Sequence, residues 1–224
     1  MKKKNIFLWF LLLIFLTTYN SNLENDIVNS FFRLQKIEID GTKNANSDEI
    51  EERLEIFKKK NLILIDQSEM IKNIADLDYV KDIELKKIYP DKIKIKIHEH
   101  KPIGIFIKNE NKYVLSDSGK LIKDNSEKFR SLPLLYGENA HENFSMFYQV
   151  LINLNFNTNT VDNFKYFKSN RWDIFLKNGK LLRLPSDSKR IEASIKRFLS
   201  INEKEKFKRF KVFDFRVKNQ LIMK

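Results

Sequence analysis

From Ile6 to Leu16 the chain runs IFLWFLLLIFL without a polar residue, directly after the basic start Met-Lys-Lys-Lys-Asn. Eleven apolar residues are fewer than the ~20 that cross a bilayer core. Length therefore favours a cleaved signal peptide. The residues that follow, Thr17 to Asn22, supply no small-residue cleavage site, and Thr17 to Leu23 can lengthen the helix. Both readings stand on the pattern alone: a signal peptide, or an uncleaved anchor over residues 6–23 behind a five-residue tail, with Ile6, Trp9, Leu12 and Phe15 in the membrane. In either case Lys2 to Lys4 keep the N-terminus inside, and the chain from about Phe31 is exported. Residues 24–31 read as a connector.

Two periods then alternate. In FFRLQKIEIDG, Ile37 and Ile39 alternate with charged neighbours up to a glycine, which predicts a strand. NSDEIEERLEIFKKK brings Ile50, Leu54 and Phe57 to helical spacing, with capping residues Asn46 and Ser47, acids in the first turn and lysines in the last. A second helix is predicted over DQSEMIKNIADL, on the stripe Met70, Ile74 and Leu77. YVKDIELKKIY and KIKIKIHE then read as two strands about a Tyr89-Pro90-Asp91 turn. Ile93, Ile95 and Ile97 face one way, and Lys92, Lys94, Lys96 and His98 the other. Strand, helix, helix, strand, strand over residues 32–101 make a small α+β unit with both helices on one face of a sheet.

Pro102 opens a second domain, residues 102–224. YVLSDSGKLI predicts a hairpin about Asp117-Ser118-Gly119, and SLPLLYG an extended piece closed by Gly137. His141 to Leu154 predicts a helix on Phe144, Phe147, Val150 and Leu151. VDNFKYF, RWDIFLKNGKLLRLP and FKRFKVFDFRVKNQLIMK read as strands, with a turn at Asn178-Gly179. SDSKRIEASIKRFLS predicts a helix capped at Ser186 or Asp187. The domain is expected to be mainly antiparallel sheet with two helices, Trp172 and Phe175 in its core, and all five glycines of the chain at turns or junctions.

Composition narrows the chemistry. A net charge of +12 invites nucleic acid as a partner, yet 33 lysines stand against 9 arginines. Arginine is the residue suited to bidentate phosphate and base contacts, so the charge reads as dispersed solvated lysine. With no cysteine, disulfides and thiolate metal sites are excluded. His98 and His100 share a strand face but lack a third ligand for zinc. Asp48, Glu49, Glu51 and Glu52 crowd a helix start, where the helix dipole accounts for them. Ser116-Asp117-Ser118 suits a turn, with no histidine near it in sequence. No phosphate loop, dinucleotide fingerprint or hydrolase motif occurs. Neither an enzyme nor a cofactor is expected. The closing segment VFDFRVKNQLIMK is the better binding candidate, because a last strand at a sheet edge offers backbone groups for β-augmentation.

These pieces, in order, resemble the cell-division protein family FtsQ/DivIB. FFRLQKIEIDGTKNANSDEI is similar to the opening strand, glycine and helix of the family's POTRA domain. DLDYVKDIELKKIYPDKIKIKIHEHKPIGIF is similar to its closing hairpin and Glu-x-x-Pro exit. KYVLSDSGKLI, SLPLLYG, RWDIFLKNGKLLRLP and VFDFRVKN resemble successive signatures of the β domain. The resemblance favours the anchor. It implies a single-pass type II protein of the cell inner membrane, with a periplasmic C-terminal side, at the division septum. Its role would be that of a scaffold binding FtsB and FtsL, with FtsK, FtsW and FtsI as further partners, and helping to control septal peptidoglycan synthesis. No nucleic acid or small-molecule substrate is implied. Matching the family's partner surface through Asp214-Phe215-Arg216 carries it onto Val217, Lys218, Asn219, Gln220, Leu221 and Ile222, where an FtsB strand would add. After Arg216 the glycine common in the family's turn is missing. The alternative from the same architecture is a periplasmic POTRA-containing envelope assembly or transport adaptor.

Overall fold

The lysine–isoleucine alternation becomes the middle strand of a three-stranded sheet. In the computed structural model of the chain, which describes residues 3–17, 31–124, 127–202 and 204–224, two units separate at Glu99 and His100. The first contains helix α1 (Lys3–Thr17), β1 (Lys36–Asp40), α2 (Ser47–Leu54), α3 (Gln67–Ile74), β2 (Val80–Ile88) and β3 (Lys92–Glu99). The sheet order is β1-β3-β2, with β1 parallel and β2 antiparallel to β3. Ile93, Ile95 and Ile97 are buried against α2 and α3, together with Leu34, Ile50, Leu54, Phe57, Met70 and Ile74. A central strand with one covered face requires this alternation.

The helix starts follow the predicted caps. The Asn46 side chain accepts from the N–H groups of Asp48 and Glu49, and Asp66 accepts from Ser68. Ser47 is the first helical residue rather than the cap. The end of α2 differs from expectation. The helix stops at Leu54 and tightens into a 3₁₀ turn, Glu55–Phe57. Lys58 to Lys60 therefore lie beyond it, where the chain must turn back so that the Lys59 N–H can donate to the Leu34 carbonyl at 3.0 Å. The Tyr89-Pro90 bond between β2 and β3 is cis.

The second unit is built on nine strands: β4 (Pro102–Lys108), β5 (Asn111–Ser116), β6 (Leu121–Ile122), β7 (Leu134–Tyr136), β8 (Val161–Phe167), β9 (Arg171–Leu176), β10 (Leu181–Arg183), β11 (Val212–Asp214) and β12 (Ile222–Met223). They lie in the order β12-β11-β10-β9-β8-β7-β4-β5-β6. The pairs β4–β7, β7–β8 and β10–β11 are parallel and the other five antiparallel, so the sheet is mixed. Helices α4 (Ala140–Asn153) and α5 (Ser188–Asn202) contribute Phe144, Phe147, Leu151, Ile195 and Phe198 to its core. Trp172 joins them, stacked on Phe147 at 4.9 Å. Phe175 alternates to the opposite sheet face and is only half-buried. Asp187 caps α5, accepting from Arg190 at 2.9 Å.

Two expectations fail here. Gly104 lies inside β4, not at a turn. A Cβ there would stand 2.5 Å from Leu135 Cδ1, so the residue marks a close approach of β7 and the core to the strand. The segment from Phe207 to Lys224 is not one long strand. Glu205–Lys208 form a helical turn, α6, and the strand character is confined to the short β11, Val212–Asp214, and β12, Ile222–Met223. Phe207 and Phe210 are three residues apart, the helical period rather than the period of two. Phe210 packs against the core from that turn.

Candidate partner-binding edge

β12 is a terminal strand of the nine-stranded sheet, and among the described residues no strand pairs with its outer side. Val212 and Lys224 exchange both backbone hydrogen bonds, at 3.0 and 3.1 Å. In an antiparallel ladder such pairs alternate with unbonded ones. Met223, opposite Phe213, therefore turns its N–H and C=O outward, while Ile222 faces Asp214 as the next bonded pair.

What precedes β12 is a return held by charged groups. Asp214 is 6% exposed, and its carboxylate accepts from the Arg216 backbone N–H at 3.1 Å. It also receives Arg216 Nε at 2.8 and 3.0 Å and Nη2 at 2.5 Å. The hydrogen bonds from Arg216 hold the Asp214 carboxyl below its usual range, against the opposing pull of burial. From α5, Arg190 Nη2 donates to the Arg216 carbonyl at 3.1 Å and to that of Phe215 at 3.4 Å. Asn219 takes the left-handed conformation, φ +61°, which asparagine adopts more readily than most residues, in the turn that leads into β12. Behind the return, Arg190, Arg197, Ser194, Val217 and Asn219 line a cleft of about 180 Å³.

Across the open sheet face a second buried carboxylate, Asp173 on β9, sits between Arg171 (3.4 Å) and Arg183 (3.9 Å). Burial pushes its carboxyl above the usual range despite the arginines. The Arg171 contact lacks hydrogen-bond alignment, which leaves Asp173 Oδ1 without a donor. Arg183 also approaches Asp214 at 3.7 Å, so one row of charges runs from β9 to the edge. The sequence pattern offered no signal for this row, because its members lie on three separate strands.

Of the sequence-predicted interface residues, only Ile222 lies in β12 itself. Val217 to Leu221 form the return, with Val217, Lys218, Asn219 and Gln220 exposed and Leu221 partly packed on the core. The other candidates disperse. His98 pairs with Glu84 at 2.6 Å in the first unit. His100 bonds Ser118 Oγ at 3.0 Å in the second, so a histidine does reach the Ser116-Asp117-Ser118 turn after all. Ser116 Oγ there accepts the Lys120 N–H, and Asp117 and Lys101 bond each other's backbone, which ties the turn to β4. Among the described residues no group of three or more His, Asp or Glu is set to hold a metal.

Helix α1 covers 15 residues, with Trp9, Leu12 and Phe15 exposed. The Ile6 side chain and residues 18–30, which hold the end of the expected anchor and most of the connector, lie outside the described residues. At 1.5 Å per residue α1 is about 22 Å long, and no helix among the described residues is long and apolar enough to cross a membrane.

A βααββ unit followed by a nine-stranded mixed sheet defines the class as a POTRA-bearing two-domain protein. Family comparison agrees: residues 32–100 match the POTRA domain of FtsQ type, and residues 105–216 match the C-terminal domain of cell division protein FtsQ/DivIB. The chain belongs to the FtsQ/DivIB family of cell division proteins. It is 25% identical over 160 residues to cell division protein FtsQ of Agrobacterium fabrum, covering 70% of this chain and 50% of that one. With FtsQ of Rickettsia bellii it shares 26% over 191 residues, covering 84% and 71%. The chain thus spans about half the length of the Agrobacterium relative and more of the rickettsial one. A solved structure, the major extracytoplasmic domain of the division protein DivIB from Geobacillus stearothermophilus in its trans isomer, aligns with a TM-score of 0.36 and 13% identity. That alignment covers 48% of this chain and 98% of the other.

Proposed function

We propose that the protein is a non-enzymatic division scaffold, anchored in the inner membrane by its N-terminal hydrophobic segment, that captures a partner strand at β12. The observation that carries this reading is the outward-facing backbone of Met223 on an edge braced by Asp214, Arg216 and Arg190. Main-chain bonds to such an edge supply affinity, and the exposed side chains of Ile222 on the strand and Val217 on the return beside it supply selection. The partners are FtsB, which adds its strand here, and FtsL, and the bound assembly helps control septal peptidoglycan synthesis. The anchor would run through residues 6–23, with Lys2 to Lys4 on the cytoplasmic side and the folded units in the periplasm.

The test is affinity for purified FtsB by titration calorimetry, with folding followed in parallel. Placing acidic side chains at the exposed Lys218 and Asn219 (Lys218→Glu with Asn219→Asp) is expected to weaken binding tenfold or more with the fold intact. Unchanged affinity in the folded variant would place the partner elsewhere.

A further inference from the structure

On residues 31–99, six large hydrophobic side chains stand exposed: Phe31, Ile56, Ile63, Leu64, Ile88 and Tyr89. All but Ile56 gather at one end of the three-stranded sheet. Lys36 and Lys92, opposite each other at the starts of β1 and β3, mark that end. Ile88 closes β2 opposite Lys92, and Tyr89 follows it. The Phe32 ring meets Tyr89 at 6.1 Å and Phe31 at 5.2 Å.

The loop beside them is held in place. Leu62 donates its N–H to the Phe32 carbonyl at 2.7 Å, and the Asn61 carbonyl accepts from Leu64 and Ile65 at 3.0 and 3.2 Å. Lys87 Nζ donates to the carbonyls of Ile63 and Ile65 at 3.2 and 2.7 Å. This bonding fixes Leu64 at 78% exposure, where an apolar side chain free to move would fold back onto the core.

The same end is basic. Glu55 answers Lys58, and Glu38 answers Lys36 and Lys92. Lys59, Lys60 and Lys86 are exposed and have no acid partner among the described residues. The chain also enters here. Whatever their conformation, the eight steps from Leu23 to Phe31 reach at most about 28 Å. The exit of β3, at Glu99, is at the opposite end of the sheet.

We propose that this end is a membrane-docking tip, with Phe31, Ile63, Leu64 and Tyr89 set at the headgroup–acyl boundary of an anionic bilayer and Lys59, Lys60 and Lys86 against its phosphates. The inference rests on the anchor reading above, since the anchor is what brings the tip to the bilayer. Aromatic and aliphatic side chains interleaved with lysine partition to that boundary. A short tether raises the effective concentration of the surface, so a weak contact suffices to hold the unit against it.

The sequence contains no cysteine, so single-cysteine variants carry one spin label each. Leu12→Cys, Leu64→Cys and Glu51→Cys would be reconstituted in bilayers of phosphatidylglycerol and phosphatidylcholine, or of phosphatidylcholine alone. Label depth is read from collisions with oxygen and with a water-soluble nickel complex. The expected result is the Leu12 label in hydrocarbon and the Glu51 label in water. The Leu64 label should sit at the boundary in the anionic bilayer. Adding Lys59→Glu and Lys60→Glu should lower the docked fraction at least tenfold, because each lysine beside an anionic surface is worth about fivefold in partition. A Leu64 label as aqueous as that at Glu51, with Leu12 in hydrocarbon, overturns the tip and leaves the anchor standing. An aqueous Leu12 label overturns the anchor and the tip with it.

Discussion

Glu99 gathers four donors onto one carboxylate. Its Oε1 accepts from the backbone N–H groups of Lys43, Asn44 and Ala45 at 2.6, 2.7 and 2.8 Å, and Oε2 from Asn44 Nδ2 at 2.8 Å. Burial, the largest single influence, pushes its pKa up, but the hydrogen bonds together hold it below the ordinary value. A depressed folded-state pKa stabilises the fold above the unfolded carboxylate's pKa, and this contribution fades as pH falls through the folded value. Glu99→Gln should cost about 1–3 kcal/mol at neutral pH in urea unfolding, with faster exchange of the amides of residues 43–45. That penalty should shrink in acid; a penalty constant across pH would contradict the assignment. The Glu-x-x-Pro exit is thus readable in sequence as a boundary. Its work as a clasp is not, because the donors lie more than fifty residues away. The same clasp explains Gly41, where φ is +89° and a Cβ would stand 2.2 Å from the Ile97 carbonyl oxygen. An ordinary glycine-to-alanine change stabilises slightly; Gly41→Ala should instead destabilise the first unit by more than the ~1–2 kcal/mol a left-handed conformation costs an L-residue, measured by the shift in its unfolding midpoint.

At the scale of elements, the edge makes two contrasting predictions. Measured against Met223→Ala, which removes the same core packing, Met223→Pro further removes only an N–H that points away from β11, so the two should differ in stability by less than about 1 kcal/mol, while affinity for an added strand drops tenfold or more. Ile222→Pro removes an N–H of a bonded pair with Asp214 and should lower stability as well. Equal behaviour of the two proline variants in calorimetry and thermal unfolding would refute the ladder assignment. Arg216→Lys retains charge but not the paired Nε and Nη2 contacts to Asp214, and is expected to cost about 1–3 kcal/mol, seen in thermal unfolding of the second unit. Since the folded pKa of Asp214 is depressed, that contribution is present above the unfolded aspartate pKa and disappears as pH falls through the folded value. Elements with a clear period were legible: α2, α3, α5 and the β2–β3 hairpin follow from spacing and caps. The segment 205–221 was not, since Phe207 and Phe210 sit among lysines in a stretch too short for a period to emerge. The turn at Asn219 depends on a left-handed asparagine, a conformation that Asn109, Asn139, Asn155 and Asn170 share, so the residue alone marks no particular turn.

For the whole molecule, the order of the two domains and the family were readable from fragments that are each weak alone but fall in sequence. The charge row from Asp173 to Asp214 was invisible, because strand order in the sheet, not chain order, brings it together. So was the apolar tip of the first unit, whose exposed residues come from three separate segments. The central claim is that this family member acts at the division site from an uncleaved, N-terminal anchor. The most direct measurement is imaging of a functional fluorescent fusion at the N-terminus, expressed from the native locus in dividing cells. The account predicts a band at midcell. A uniform envelope signal would contradict the division role and favour the assembly-adaptor alternative. Free cytoplasmic fluorescence, with the mature chain in the periplasm, would contradict the anchor.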